Sequence, residues 1–138
     1  MKIALGTANF GQKYGLIKKK VTKKEIIKIL NLCKNNNIKL IDTAINYGDT
    51  ETELGKYDLS FFKICTKLPK IPYSKKKDVE NWVNKNIDQS LKNLNLKKID
   101  YVLMHSTDQL KLERSRIAYN VLQVLKKDWV CPKEFTKY

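Results

Sequence analysis

The sequence predicts an α/β protein in which four successive β-α units lie on one parallel sheet. Short β-branched or aromatic apolar runs alternate with longer segments of helical period, and Thr-x-x-Glu sequences stand where helices should begin. No linker or low-complexity stretch breaks the alternation. Four units are half of an eight-fold (β/α)8 barrel of the TIM type, so a half-barrel over residues 1–127 is expected, with 128–138 as a tail of no readable pattern.

The first strand is read as Lys2 to Leu5, followed by the loop Gly6-Thr7-Ala8-Asn9-Phe10-Gly11. That loop has neither the Gly-x-Gly-x-x-Gly fingerprint nor a P-loop Gly-Lys-Ser/Thr. Thr22 and Glu25 form a capping box for the first helix, whose inward stripe is Ile26, Leu30 and Cys33. The second strand is Ile38 to Asp42, and Thr50-x-x-Glu53 predicts a capping box for a short helix ending near Gly55.

The third strand is placed at Phe61 to Thr66, and the two prolines of Lys67-Leu-Pro-Lys-Ile-Pro72 predict a loop. A helix from about Asp78 to Leu94 turns Val79, Trp82, Val83, Ile87, Leu91 and Leu94 inward. A fourth strand, Ile99 to Met104, leads to a helix from about Leu112 to Lys127 that offers Ile117, Val121, Leu122, Val124 and Leu125 to a core. Right-handed crossovers are expected throughout.

Composition narrows the function classes. No apolar run reaches the roughly 18 residues of a membrane span, and the N-terminus lacks the apolar stretch of a signal peptide, so a soluble cytoplasmic protein is expected. Cys33, Cys65 and Cys131 are widely spaced and only one histidine accompanies them, which predicts reduced thiols and no metal site. The net charge of +14 would suit a polyanion, but of the 28 basic residues only Arg114 and Arg116 are arginine. Lys, Asn and Ile have the codons richest in A and T, and nucleic-acid recognition usually enlists the arginine fork. The charge is therefore read as compositional bias, with neither nucleic acid nor membrane as partner.

Polar residues stand at the strand ends where barrel enzymes gather their chemistry: Asp42 after the second strand, Tyr47 in the next loop, Lys67 after the third and His105 after the fourth. Each alone has a structural explanation, as a cap, a packed aromatic, one lysine among many or a rim histidine. Together they define a chemistry. A phenol can donate and accept a proton near neutral pH if a cation stabilises its phenolate, and Lys67 would be that cation. Asp42 would hold Lys67, and His105 would hydrogen-bond a carbonyl oxygen and orient it toward Tyr47. The reaction expected is carbonyl reduction.

Asp42-Thr-Ala-Ile-Asn-Tyr47-Gly-Asp-Thr-Glu51-Thr-Glu-Leu-Gly55 resembles the aldo-keto reductase stretch Asp-Thr-Ala-x-x-Tyr-Gly-x-x-Glu-x-x-Leu-Gly. Leu5-Gly6-Thr7, Cys65-Thr-Lys67 and the segment from Ser90-Leu-Lys-Asn-Leu to His105 are also similar to that family's motifs, in the same order. The resemblance implies that Asp42, Tyr47, Lys67 and His105 are the catalytic tetrad, with Tyr47 the general acid and NADPH the hydride donor. It implies further that Gly6, Thr7 and Ala8, with Asp42, lie against the nicotinamide end of the cofactor, and that the substrate is a small aldehyde, ketone or sugar carbonyl.

A complete barrel takes roughly 250 residues, so about half of one is expected. The resemblance places the main cofactor-binding loops after strands five to eight. After Lys126-Lys127-Asp128 the family pattern would lead into an Ile-Gly-Val-Ser type strand, whereas this sequence reads Trp129-Val-Cys-Pro-Lys-Glu-Phe-Thr-Lys-Tyr138, a departure that suggests a frameshift, an early stop or a fusion. Unpaired edges at the first and fourth strands and an interior rich in Ile and Leu are expected to seek a partner, either a second copy or a separate C-terminal half. Such a reductase would be weak or inactive alone; the alternative is a non-catalytic half-barrel that binds a partner, or a degraded-gene remnant.

Overall fold

Alternating strand and helix patterns fold into four parallel strands in the order β1-β2-β3-β4, with a helix after each. The computed structural model describes residues 3–15 and 19–128; the expectations for Lys2, for Cys131 and for the tail 129–138 lie outside the described residues. The elements are β1 (Ala4–Gly6), α1 (Lys23–Asn35), β2 (Leu40–Asp42), α2 (Thr50–Leu54), β3 (Lys63–Leu68), α3 (Lys76–Leu94), β4 (Tyr101–Met104) and α4 (Glu113–Asp128), with a 3-10 turn at Thr107–Gln109.

Helix α1 begins as its sequence predicts. The Thr22 hydroxyl accepts from the Glu25 N–H at 3.3 Å and the Glu25 carboxylate accepts from the Thr22 N–H at 2.8 Å, so two orphan donors of the first turn are satisfied reciprocally. Ile26, Leu30 and Cys33 are buried. The second capping box does not form. Asp49 is the N-cap of α2, and Thr50, one position inside, donates its hydroxyl to the Tyr47 carbonyl and accepts the Gly11 N–H. Glu53 turns instead to Lys56 and Tyr57. The helix does end at Gly55.

The strands sit slightly later in the sequence than expected. Phe61 and Phe62 pack edge to face and belong to the turn before β3, which pairs with β4 as far as Leu68↔Met104. Lys67 is therefore inside the strand, which stops where Pro69 has no N–H for a ladder. On α3, Val79, Val83, Ile87 and Leu94 are buried, with Trp82 and Leu91 partly so, and Ser90 is buried among them. On α4, Ile117, Val121, Leu122 and Leu125 pack against the core, but Val124 points to solvent, and Ala118 provides the fully buried contact.

Parallel register puts aligned residues on one face. Leu5, Ile41 and Ile64 share a row, as do Thr66 with Val102 and Leu68 with Met104, and these rows meet the helices. The opposite face carries the rows Ala4-Leu40-Lys63, Gly6-Asp42-Cys65-Tyr101 and Lys67-Leu103. The open face is thus not the Ile- and Leu-rich surface expected from composition. The branched aliphatics face the helices, and the open face mixes Ala4, Leu40, Tyr101 and Leu103 with Asp42, Lys63 and Lys67. Among the described residues β1 and β4 are the outer strands of the sheet, as expected.

Candidate active site

Asp42 closes β2 in register with Gly6 on one side and Cys65 on the other. The Thr7 N–H and hydroxyl both donate to the Asp42 carbonyl, at 3.1 and 3.0 Å, which ties the loop after β1 to the end of β2. The chain beyond Asp42 is stitched to β3. The Thr43 N–H donates to the Cys65 carbonyl at 2.8 Å and the Ile45 N–H to the Lys67 carbonyl at 3.3 Å. Tyr47 then turns back by an N–H bond to Ala44, and Gly48 takes the left-handed conformation, φ +57°, from which the chain enters α2.

Alternation along β3 sends Thr66 to the helices and Lys67 to the open face. There the Lys67 ammonium donates to both carboxylate oxygens of Asp42 at 2.7 Å and to the Thr43 carbonyl at 3.0 Å. With its three donors so directed, the ammonium also stands 5.2 Å from the centre of the Tyr47 ring, within cation–π range. His105 follows β4, its N–H donating to the Leu68 carbonyl, and its ring meets that of Tyr47 edge-on, with centroids 5.8 Å apart and planes at 81°.

Asp42, Tyr47, Lys67 and His105, scattered in sequence, are thus brought together at one end of the sheet. Of the other sequence candidates, Gly6 is exposed beside Asp42, Thr7 is fully buried with its hydroxyl turned to backbone, and Ala8 is half-buried in the loop. Gly6 has nothing within 4 Å of where a Cβ would stand.

Three features escaped the sequence reading. Tyr14 lies with its ring 6.4 Å from that of Tyr47 and is 58% exposed, beside the cavity of about 620 Å³ between the β1 loop and α1; nothing in its local sequence marks it. The Thr43 carbonyl completes the shell around Lys67. Cys65, in register with Asp42, has its thiol pushed up to about 11 by burial, reinforced by the Asp42 charge and opposed by Lys67.

The profile of the Aldo/keto reductase family matches residues 2–127. The chain belongs to this family. Among solved structures it is similar to a Pseudomonas aeruginosa protein assigned to the aldo-keto reductases, with 29% identity, a TM-score of 0.77 and coverage of 94% of this chain and 52% of that one. An aldo-keto reductase from a Medee basin deep-sea metagenome library shares the fold at 21% identity and TM-score 0.65, over 95% of this chain and 43% of its own. The Bombyx mori aldo-keto reductase solved with NADP does so at 21% identity and TM-score 0.62, over 94% and 44%. No curated protein matches. The chain therefore spans about half the length of the solved aldo-keto reductases it matches, and the four parallel strands with their helices are a partial β/α barrel of that family's kind.

Proposed function

We propose that this chain carries the proton-handling end of an NADPH-dependent reductase acting on a small aldehyde, ketone or sugar carbonyl. The observation that carries the reading is one cation placed between an acid and a phenol: Lys67, 2.7 Å from both Asp42 oxygens and 5.2 Å from the centre of the Tyr47 ring. Family membership supports an oxidoreductase, and the silkworm relative holds NADP. When bound, a reduced nicotinamide supplies the hydride.

The residues present fit the nicotinamide end of that cofactor. Gly6 leaves the end of β1 open beside Asp42, and Thr7 and Ala8 continue the same loop. His105, at the edge of the Tyr47 ring, hydrogen-bonds the substrate carbonyl oxygen and orients it. Tyr47 delivers its hydroxyl proton to that oxygen, Lys67 stabilises the phenolate left behind, and Asp42 holds Lys67 in place. The outer edges of β1 and β4 are where the remaining strands of a complete barrel would pair.

NADPH titration of the purified chain by fluorescence, with its mass in solution determined alongside, tests the reading, followed by NADPH oxidation over a panel of carbonyl compounds. Saturable binding and turnover are expected, with Tyr47→Phe losing nearly all turnover while keeping NADPH binding. Undiminished turnover in Tyr47→Phe, or no NADPH binding by any assembly of the chain, overturns it.

A further inference from the structure

Glu51 is 3% exposed, yet its carboxyl group faces two hydroxyls rather than water. Oε1 accepts from the Thr66 hydroxyl at 2.7 Å and from Ser90 at 3.0 Å, and Oε2 accepts from Ser90 at 2.9 Å. Removing a carboxyl group from water is costly unless its lone pairs are satisfied, and a buried network of this kind fixes the elements that supply its members. Here those elements are α2, β3 and α3.

The position of each member matters. Thr66 immediately precedes Lys67 on β3 and faces the helices while Lys67 faces the site. Glu51 follows Thr50, whose N–H and hydroxyl both hold the Tyr47 carbonyl, at 3.2 and 2.6 Å. One short path therefore runs from the Tyr47 turn through Thr50 and Glu51 to Thr66 and Lys67. The same helix is pressed in at both ends. A Cβ on Gly11 would strike the Thr50 backbone, and one on Gly55 would strike the Asn93 carbonyl. The helix is thus set close against its neighbours, and the Glu51–Thr66 bond links it to the strand bearing Lys67.

We infer that Glu51 is a positioning residue: through Thr66 it sets the separation between the Lys67 ammonium and the Tyr47 ring, and so the cation's hold on the phenol. The inference rests on the reading above in one respect, that Lys67 acts on Tyr47.

The test is a carbon-13 NMR spectrum of the chain labelled at the tyrosine ring carbon that bears oxygen, with the Tyr47 signal assigned by its loss in Tyr47→Phe and its chemical shift read as a sensor of the cation beside the ring. The variants are Lys67→Met, Glu51→Ala, Thr66→Val, which keeps the side-chain shape and removes the hydroxyl, and Ser90→Ala, which leaves the Thr66 link intact. The Tyr47 signal should move in Lys67→Met, move most of the way to that position in Glu51→Ala and Thr66→Val, and stay at the wild-type position in Ser90→Ala. Glu51→Gln, which can still accept from Thr66, should restore most of the wild-type position. If Glu51→Ala fails to fold, Thr66→Val carries the comparison. A signal that moves in Lys67→Met but in neither Glu51→Ala nor Thr66→Val overturns the positioning role alone, as does an equal displacement in Ser90→Ala. A signal unmoved by Lys67→Met overturns the role of Lys67, and this inference with it.

Discussion

Lys67 and Asp42, twenty-five positions apart, meet with the lysine nitrogen 2.7 Å from each carboxylate oxygen, and the lysine is the more deeply set of the two: its side chain is 17% exposed against 37% for the aspartate. That asymmetry decides which partner is the more costly to lose. Asp42→Ala strands an ammonium that solvent reaches poorly, whereas Lys67→Met leaves a carboxylate that water can still solvate. Urea unfolding should show Asp42→Ala the less stable, with Lys67→Met within about 1 kcal/mol of wild type. The reverse order would mean that Lys67's remaining contact, its bond to the Thr43 carbonyl, outweighs the pair.

Thr22→Ala should destabilise the chain by about 1 kcal/mol, because it removes the hydroxyl that accepts from the Glu25 N–H. Thr22→Ser, which keeps that oxygen, should recover most of the loss in the same thermal melt.

Two glycines should respond oppositely to alanine. At Gly55 the added methyl collides with the Asn93 carbonyl where α2 lies against α3, and overpacking of that kind costs roughly 1–3 kcal/mol. At Gly6 the methyl meets nothing within 4 Å, so Gly6→Ala should melt at or slightly above the wild-type temperature while weakening NADPH binding. Unchanged NADPH affinity in Gly6→Ala would remove this strand end from the cofactor site.

Cys65 predicts an alkaline signature. Its folded thiol is raised to about 11, above the value of an unfolded cysteine. The stability it contributes is whole below about pH 8.5 and is lost as pH rises toward 11, because the unfolded chain releases the proton first. Over that window the loss attributable to this group is on the order of 2–3 kcal/mol. Cys65→Ala should flatten the fall in urea midpoint between pH 8.5 and 11, and the native thiol should react slowly with iodoacetamide at pH 8.

The sequence disclosed the order of elements, because the three longer helices repeat their apolar positions at helical spacing and each expected strand closes in, or is followed at once by, a Gly, Asp, Lys or His that breaks the apolar run. It misplaced the end of β3, since Pro69 and not Lys67 stops the ladder, and local pattern says nothing of how far β4 continues to pair. Thr50-x-x-Glu53 misled for a related reason. The rule sees two residues, but Thr50 is drawn inward by Gly11 and Tyr47, partners supplied by tertiary structure. The four site candidates were legible from strand-end position and residue type. Tyr14 was not, because an aromatic in an irregular loop has no period to give it a direction, and Glu51 was visible as part of a motif but not as a link between helix and strand.

The alternation that sends Ile41, Ile64, Leu68 and Val102 toward the helices means that the oily side of this sheet is sheltered by the chain's own helices. The side left open is the one that carries Asp42 and Lys67, so residues there can be exchanged without unsealing the core.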